Sequence, residues 1–352
     1  MQLFYNFTYI LNISADREEL YVPGELRESL FQNICNGNIK GKGKPKSNAT
    51  KESNNQERQL QCHLVHHSNP FLSIGPFHIE VKFYLPFRTI LHDFFTDNEM
   101  KWLMDYSKPR LSASRLIPQS TKDLTKAKLR YKNPRKTGYT VAKAVTVWLN
   151  DIEYPNRETW TKISKDGQPL EYEITAASKD PYSYIVYRKL LNDISKRIEL
   201  ATYFNVTVRY GASHYQTTNY GLSGMVVGHM DPWGYETGVE LSQERRELVR
   251  TGDYIATFMG WFADTEAGGE TTFMDHKYEG TVRPTKGSAA FWINLTACHQ
   301  KDERAEHAGC PVLKGSKWIL NKWMYSFDNF AKFPCNVIKG LPFAQPAISH
   351  YF

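Results

Sequence analysis

From Pro76 onward, apolar Ile79, Val81, Phe83 and Leu85 alternate with His78, Glu80, Lys82 and Tyr84, the period-two rhythm of a strand with one buried face. Thr96 followed three residues later by Glu99 is a capping box; it predicts a helix through Tyr106 that Pro109 ends. Tyr187, Leu190, Leu191, Ile194 and Ile198 mark a second, longer helix, because their spacing lays one apolar stripe along it. After Asn205 the character turns to β. VTVRY, SHYQTTNYG, DYIATFMGWF, GSAAFWINL and KWILNKWMY are aromatic and β-branched, and Gly, Pro, Asp and charged turns separate them. Residues 24–35 have a helical apolar rhythm, whereas the stretch from there to Gln61 is so poor in apolar residues that it reads as a linker.

The pattern predicts an α+β chain: a helical segment and polar linker over 1–75, a helix-rich supporting part over 76–204, a core of short strands over 205–338 and a tail over 339–352. About eight short strands after the helices fit a jelly-roll, a double-stranded β-helix core braced by N-terminal helices. The chain contains no internal repeat.

With 352 residues, 41% hydrophobic and 14% aromatic, the chain has the makings of a sizeable core, which excludes disorder throughout. The formal net charge of +7 raises the question of an acidic partner, but Lys40, Lys42, Lys44, Lys46 and Lys51 crowd into the polar segment. No interleaved basic and aromatic surface accompanies them, so nucleic acid is not an expected partner. No window reaches the ~20 apolar residues of a membrane-spanning helix. The N-terminal MQLFYNFTYILNIS has neither a basic n-region nor a clear cleavage site. Cys35, Cys62, Cys298, Cys310 and Cys335 contain no C-x-x-C pair, which argues for disulfides over a zinc site. N-x-S/T sequons at Asn6, Asn12, Asn48, Asn205 and Asn294 are compatible with a secretory-pathway glycoprotein.

The chemistry centres on His229-Met230-Asp231. In an extended strand an imidazole and a carboxylate at i and i+2 project from one face and can share a metal ion. A second imidazole completes a two-His, one-carboxylate facial triad with open positions for a 2-oxo acid and O2. His307, just before an apolar strand, is the best candidate, and Lys317, ten residues later, places a cation where it can pair with the distal carboxylate of 2-oxoglutarate. An isolated H-x-D is a weak signal; the strings around it carry more.

YGLSGMVVGHMD, DYIATFMGWFADTEAGGETTF, KGSAAFWINL and EHAGCPVLKGSKWILNKW closely resemble the catalytic domain of the animal prolyl 4-hydroxylase α subunit, which hydroxylates proline in collagen. The resemblance runs from about Gly24 to Cys335 and includes YSKPRLSASRL and Trp148. It implies Fe(II) held by His229, Asp231 and His307, and 2-oxoglutarate bound by Lys317 with help from Tyr220 and Thr257. It further implies O2 and ascorbate as co-reactants, disulfides Cys310–Cys335 and Cys35–Cys62 with Cys298 left over, the endoplasmic reticulum lumen, and a protein disulfide isomerase subunit as partner. Gly268 and Gly269 read as a tight turn.

Three positions depart from the family. Where it has Tyr, Arg and His around the prolyl pocket, this sequence has Val226, Tyr254 and Tyr325. The implied cofactor residues are intact while the substrate half is rewritten from donor-rich to apolar and phenolic. The expected function is hydroxylation of peptidyl proline on a peptide or protein, collagen-like as the first guess. The alternatives are the same chemistry on another residue or context, or a catalytically silent peptide-binding paralogue.

Overall fold

The computed structural model describes residues 62–65, 72, 74–84, 86–113, 142–149, 181–208, 210–232, 251–274 and 280–333. The helix expected over 24–35, the linker that follows it, Cys35, Cys335, the sequons at Asn6, Asn12 and Asn48, and the tail 339–352 lie outside these residues. The described strands, in chain order, are β1 (Cys62–Val65), β2 (Phe77–Tyr84), β3 (Phe87–His92), β4 (Ser112–Ala113), β5 (Ala142–Lys143), β6 (Val145–Leu149), β7 (Tyr215–Tyr220) and β8 (Met225–His229). They continue with β9 (Tyr254–Trp261), β10 (Ala267–Gly268), β11 (Thr271–Phe273), β12 (Gly280–Val282), β13 (Ala289–Ile293), β14 (His307–Gly309), β15 (Val312–Lys314) and β16 (Lys317–Tyr325). Among the described residues two α-helices accompany them, α1 (Asp97–Ser107) and α2 (Pro181–Thr202).

The strands form a nine-stranded sheet in the order β1-β2-β3-β13-β9-β16-β7-β6-β4, a five-stranded sheet in the order β12-β11-β14-β8-β5, and a β10-β15 pair. The described residues therefore make a mostly antiparallel β structure with few helices. Successive side chains of the large sheet point to opposite sides. Phe258, Phe291 and Leu320 join a core with Met100 and Leu103 of α1 and Tyr187, Leu191, Ile194 and Ile198 of α2. Their neighbours Met259, Trp292 and Ile319 join Val226, Phe273 and Val312 of the smaller sheet and its surroundings. That second cluster is where the candidate chemistry lies.

The two helices form where the sequence marks them. The Thr96 hydroxyl accepts from the Glu99 amide at 3.3 Å and the Glu99 carboxylate accepts from the Thr96 amide at 2.9 Å, both halves of a capping box. The α-helix ends at Ser107, and Pro109 sits in a following 3-10 turn, Lys108–Arg110. Arg197 of α2 clasps the same Glu99 through both terminal guanidinium nitrogens, Nη2 at 2.7 Å and Nη1 at 3.0 Å, which ties the helices together.

Two expectations are corrected. The sheet begins at Cys62, where β1 pairs with β2, so ordered β structure starts before the boundary drawn at residue 76. The described residues of VTVRY form no strand. The Glu199 carboxylate accepts from the amides of Val206 and Thr207 at 2.6 and 2.7 Å and from the Thr207 hydroxyl at 2.9 Å. Those amides are therefore taken by a side chain before any strand can use them, and Gly211 closes a turn onto the Val208 carbonyl.

Candidate active site

In the small sheet β14 lies beside β8 with His307 directly opposite His229. Asp231 follows the end of β8 by two residues, in a bend, so the carboxylate reaches the imidazoles from a turn and not from the continuous strand the sequence suggested. Ligand atoms of His229, Asp231 and His307 all lie within 4.8 Å of one another. Each imidazole Nε2 stands 3.8 Å from a different Asp231 oxygen, His229 facing Oδ1 and His307 facing Oδ2.

Both rings are held from behind. Nδ1 of His229 lies 2.9 Å from the Val227 carbonyl and Nδ1 of His307 lies 3.0 Å from the Ala305 carbonyl. A carbonyl only accepts, so Nδ1 carries the proton in each ring and Nε2 keeps its lone pair toward the cluster. Burial pushes the His307 imidazole down to about 4, despite the opposing pull of Asp231, so the ring is in its neutral, ligating form at neutral pH. Two imidazole nitrogens and one carboxylate on one side fit a mononuclear metal ion that keeps positions open for other ligands.

A cleft opens over the cluster and is lined by Tyr220, Val226, Thr257, Thr271, Trp292 and Lys317, among others, together with the three triad residues. Lys317 is buried and its ammonium donates to the Thr271 hydroxyl at 2.9 Å. Burial pulls its pKa down to about 7, with Glu270 acting the other way. An ammonium has three donors, and among the described residues Thr271 takes one, so an anionic carboxylate in the cleft suits the remainder. Space for such a group depends on Gly309: a Cβ there would come within 3.0 Å of Val226 Cγ1 and 3.8 Å of Lys317 Nζ. Tyr220 faces Lys317 across β7 and β16, its ring centroid 5.6 Å from Nζ. Burial, and then Asp231, raise the Tyr220 phenol, which stays a neutral donor.

Thr257 lines the same cleft, but its hydroxyl donates to Asp231 Oδ2 at 2.6 Å. A hydroxyl has one proton, and without a ligand in the cleft that of Thr257 goes to Asp231. Val226 is at the cleft as expected. Tyr254 and Tyr325 are not among its lining residues: they stack on each other at 5.4 Å, and Tyr254 stacks on Trp323, which does line it.

A sequence profile of the 2OG-Fe(II) oxygenase superfamily matches residues 215–325, a span that holds the whole triad and Lys317. The match covers less than a third of the chain. The chain around this span is similar to prolyl 4-hydroxylase subunits. Subunit alpha-1 of Rattus norvegicus is 29% identical over 269 residues, covering 76% of this chain and 40% of that protein. Subunit alpha-2 of Gallus gallus is 27% identical over 316 residues, covering 90% of this chain and 46% of that protein. The chain thus spans less than half the length of these relatives. Among solved structures, a viral collagen prolyl hydroxylase from Paramecium Bursaria Chlorella virus-1 aligns at 18% identity with a TM-score of 0.36, covering 68% of this chain and 95% of that one.

Cys310, beside Gly309 of β14, is disulfide-bonded, and its partner is outside the described residues. Cys62 is exposed on β1 and free, and its expected partner Cys35 lies outside the described residues. The Asn294 sequon is fully buried, so the folded domain has no room for a glycan there. Gly268 and Gly269 have φ of 72° and 78°, which glycine adopts without strain, but Gly268 ends β10 at an irregularity in its pairing with β15, where a tight turn was expected. A Cβ on Gly268 would lie 2.2 Å from the Pro311 carbonyl oxygen. Sequence reasoning missed Thr271, which orients the Lys317 ammonium, and Asn294, which stands behind Thr257. Both are small polar residues inside apolar strings, a buried-polar signal that is visible in TTF and WINL but names no partner.

Proposed function

We propose that this chain is an Fe(II)- and 2-oxoglutarate-dependent dioxygenase that hydroxylates peptidyl proline, with its site on a jelly-roll core. The observation that carries the reading is the convergence of His229, Asp231 and His307 ligand atoms within 4.8 Å, in one cleft with the buried Lys317. In this reading the three residues hold the iron, and Lys317, oriented by Thr271, anchors the remote carboxylate of 2-oxoglutarate against Tyr220. Bound there together, the ion and 2-oxoglutarate supply the oxidation, in which O2 converts the oxo acid to succinate and CO2 and one oxygen atom enters a substrate C–H bond. The chain's own residues fix the imidazole tautomers through Val227 and Ala305, hold the carboxylate through Thr257, and keep water from the buried side of the cleft with Trp292 and Phe273. Ascorbate as a reductant, maturation in an oxidising lumen and a protein disulfide isomerase partner belong to the same proposal; the disulfide at Cys310 supports the lumen.

A second reading, the same oxidation on another residue or sequence context, is favoured by the stacked Tyr254 and Tyr325. Where the prolyl 4-hydroxylase pattern has charged and imidazole donors, these rings present apolar faces. Mass spectrometry of proline-containing peptides after incubation with iron-loaded protein and 2-oxoglutarate separates the readings. Gain of one oxygen on proline supports the first. Oxygen on a different residue supports the second, and no oxidised peptide alongside no succinate contradicts both.

A further inference from the structure

Asn294 is fully buried, lies just beyond the end of β13, and its side-chain amide donates to the Thr257 hydroxyl at 2.7 Å. Thr257 in turn donates to Asp231 Oδ2 at 2.6 Å. The direction of this relay is forced. A carboxylate accepts only, so the Thr257 proton points to Asp231, and the oxygen of Thr257 can then only accept, which requires Nδ2 of Asn294 toward it. The amide adopts this orientation although its Oδ1 is buried with no hydrogen-bond partner among the described residues. Leaving a buried acceptor unpaired is costly, so a residue there solely to fill space has no reason to be an amide.

The backbone of the same residue reaches the other end of the triad. The Asn294 carbonyl accepts from the Asp302 amide at 2.9 Å. Asp302 caps the short 3-10 turn Glu303–Ala305, its carboxylate accepting from the Arg304 amide. The Ala305 carbonyl that ends this turn receives Nδ1 of His307 at 3.0 Å. One buried residue thus stands behind both Asp231, through its side chain, and His307, through its main chain.

We propose that Asn294 is a positioning residue for the metal centre, acting through Thr257 to fix which way the Asp231 carboxylate turns and through Asp302 to seat the turn that orients His307. The inference rests on the metal reading given above. Because the relay has a polarity, the isosteric Asn294→Asp variant is the informative change: it sets an acceptor against the Thr257 oxygen, and the single Thr257 proton cannot serve two carboxylates. Asn294→Ala deletes the amide without adding charge and leaves the main-chain link to Asp302 in place.

The test is Co(II) titration of the full chain, followed by the visible d–d absorption of the bound ion, for the unmodified protein, Asn294→Asp, Asn294→Ala, Thr257→Val, Thr257→Ser and the Asn294→Ala/Thr257→Val pair. Loss of a group that orients a metal ligand costs on the order of 10–100-fold in metal affinity. The expected result is that Asn294→Asp and Thr257→Val each weaken Co(II) binding by that order and shift the absorption bands, while Thr257→Ser, which keeps the hydroxyl, binds nearly as the unmodified chain. The paired variant should be no weaker than Thr257→Val alone, because both changes cut one relay. If Asn294→Asp does not fold, the Asn294→Ala and Thr257→Val cycle decides the question. Unchanged affinity and spectrum in the Asn294 variants, or losses that multiply in the pair, overturn the inference. Failure of the unmodified protein to bind Co(II), or binding that survives His307→Ala undiminished, overturns the metal reading itself and the inference with it.

Discussion

His307 and His229 face each other across the β14–β8 ladder with their ring centroids 4.4 Å apart. Two imidazoles from distant parts of the chain are brought to one carboxylate by strand register, so a change at either strand moves a ligand. His307→Ala removes one of the three proposed protein ligands and should abolish succinate formation while leaving the fold intact. Circular dichroism alongside succinate assays checks both halves. Full succinate formation by this variant would remove His307 from the site.

Lys317→Ala should raise the 2-oxoglutarate requirement by at least tenfold with iron affinity little changed, since a lost charge-assisted contact to a carboxylate is worth ~1.5–3 kcal/mol. Initial rates against 2-oxoglutarate concentration, with Fe(II) affinity measured in parallel, make the comparison. An unchanged requirement would move the anchor elsewhere in the cleft.

The same residue predicts a pH dependence. Burial pulls the Lys317 ammonium down to about 7, so the protonated form that binds a carboxylate predominates below that pH and is lost as pH rises through it. The dissociation constant for 2-oxoglutarate, measured on the ligand-free protein by calorimetry, should therefore increase from pH 6 to pH 8. Lys317→Arg keeps its charge throughout and should flatten the profile. A flat profile in the unmodified chain would contradict the assignment of the anchor.

Glu199→Ala should destabilise the fold by ~2 kcal/mol, because it strands the amides of Val206 and Thr207 next to the end of α2. Urea unfolding monitored by tryptophan fluorescence measures it. A change within a few tenths of a kcal/mol would show that water replaces the carboxylate without cost.

Val226, Tyr254 and Tyr325 stand where the prolyl 4-hydroxylase pattern has Tyr, Arg and His. Each hydrogen-bond partner left unpaired costs ~1–3 kcal/mol, so collagen-like Pro-Pro-Gly peptides should be poor, uncoupled substrates. The ratio of hydroxyproline to succinate should rise in a Val226→Tyr, Tyr254→Arg, Tyr325→His protein. Tight coupling in the unmodified chain would show that the pocket was not rewritten.

What was legible in the sequence follows from how local each signal is. The capping box at Thr96, the apolar stripe of α2 and the aromatic run of β16 are set by neighbouring residues, and each appears where its pattern predicts. The triad and Lys317 were legible because H-x-D, a later His and a Lys sit in strings that also carry the family resemblance. VTVRY failed for a non-local reason. Its β-branched residues satisfy strand propensity, but Glu199, on the preceding helix, takes their amides first. Thr257 lies at the site that the sequence names, but its bond to Asp231 was not legible there, because composition cannot say where one hydroxyl proton goes.

The central claim is most directly tested by succinate release from 2-oxoglutarate by the purified full chain under air, with Fe(II) present, with Fe(II) chelated, and with Asp231→Ala in place of the unmodified protein. The account predicts Fe(II)-dependent succinate in the first case and none in the other two. Succinate that persists after chelation or in Asp231→Ala, or none from the iron-loaded chain with any proline-containing peptide, would contradict it.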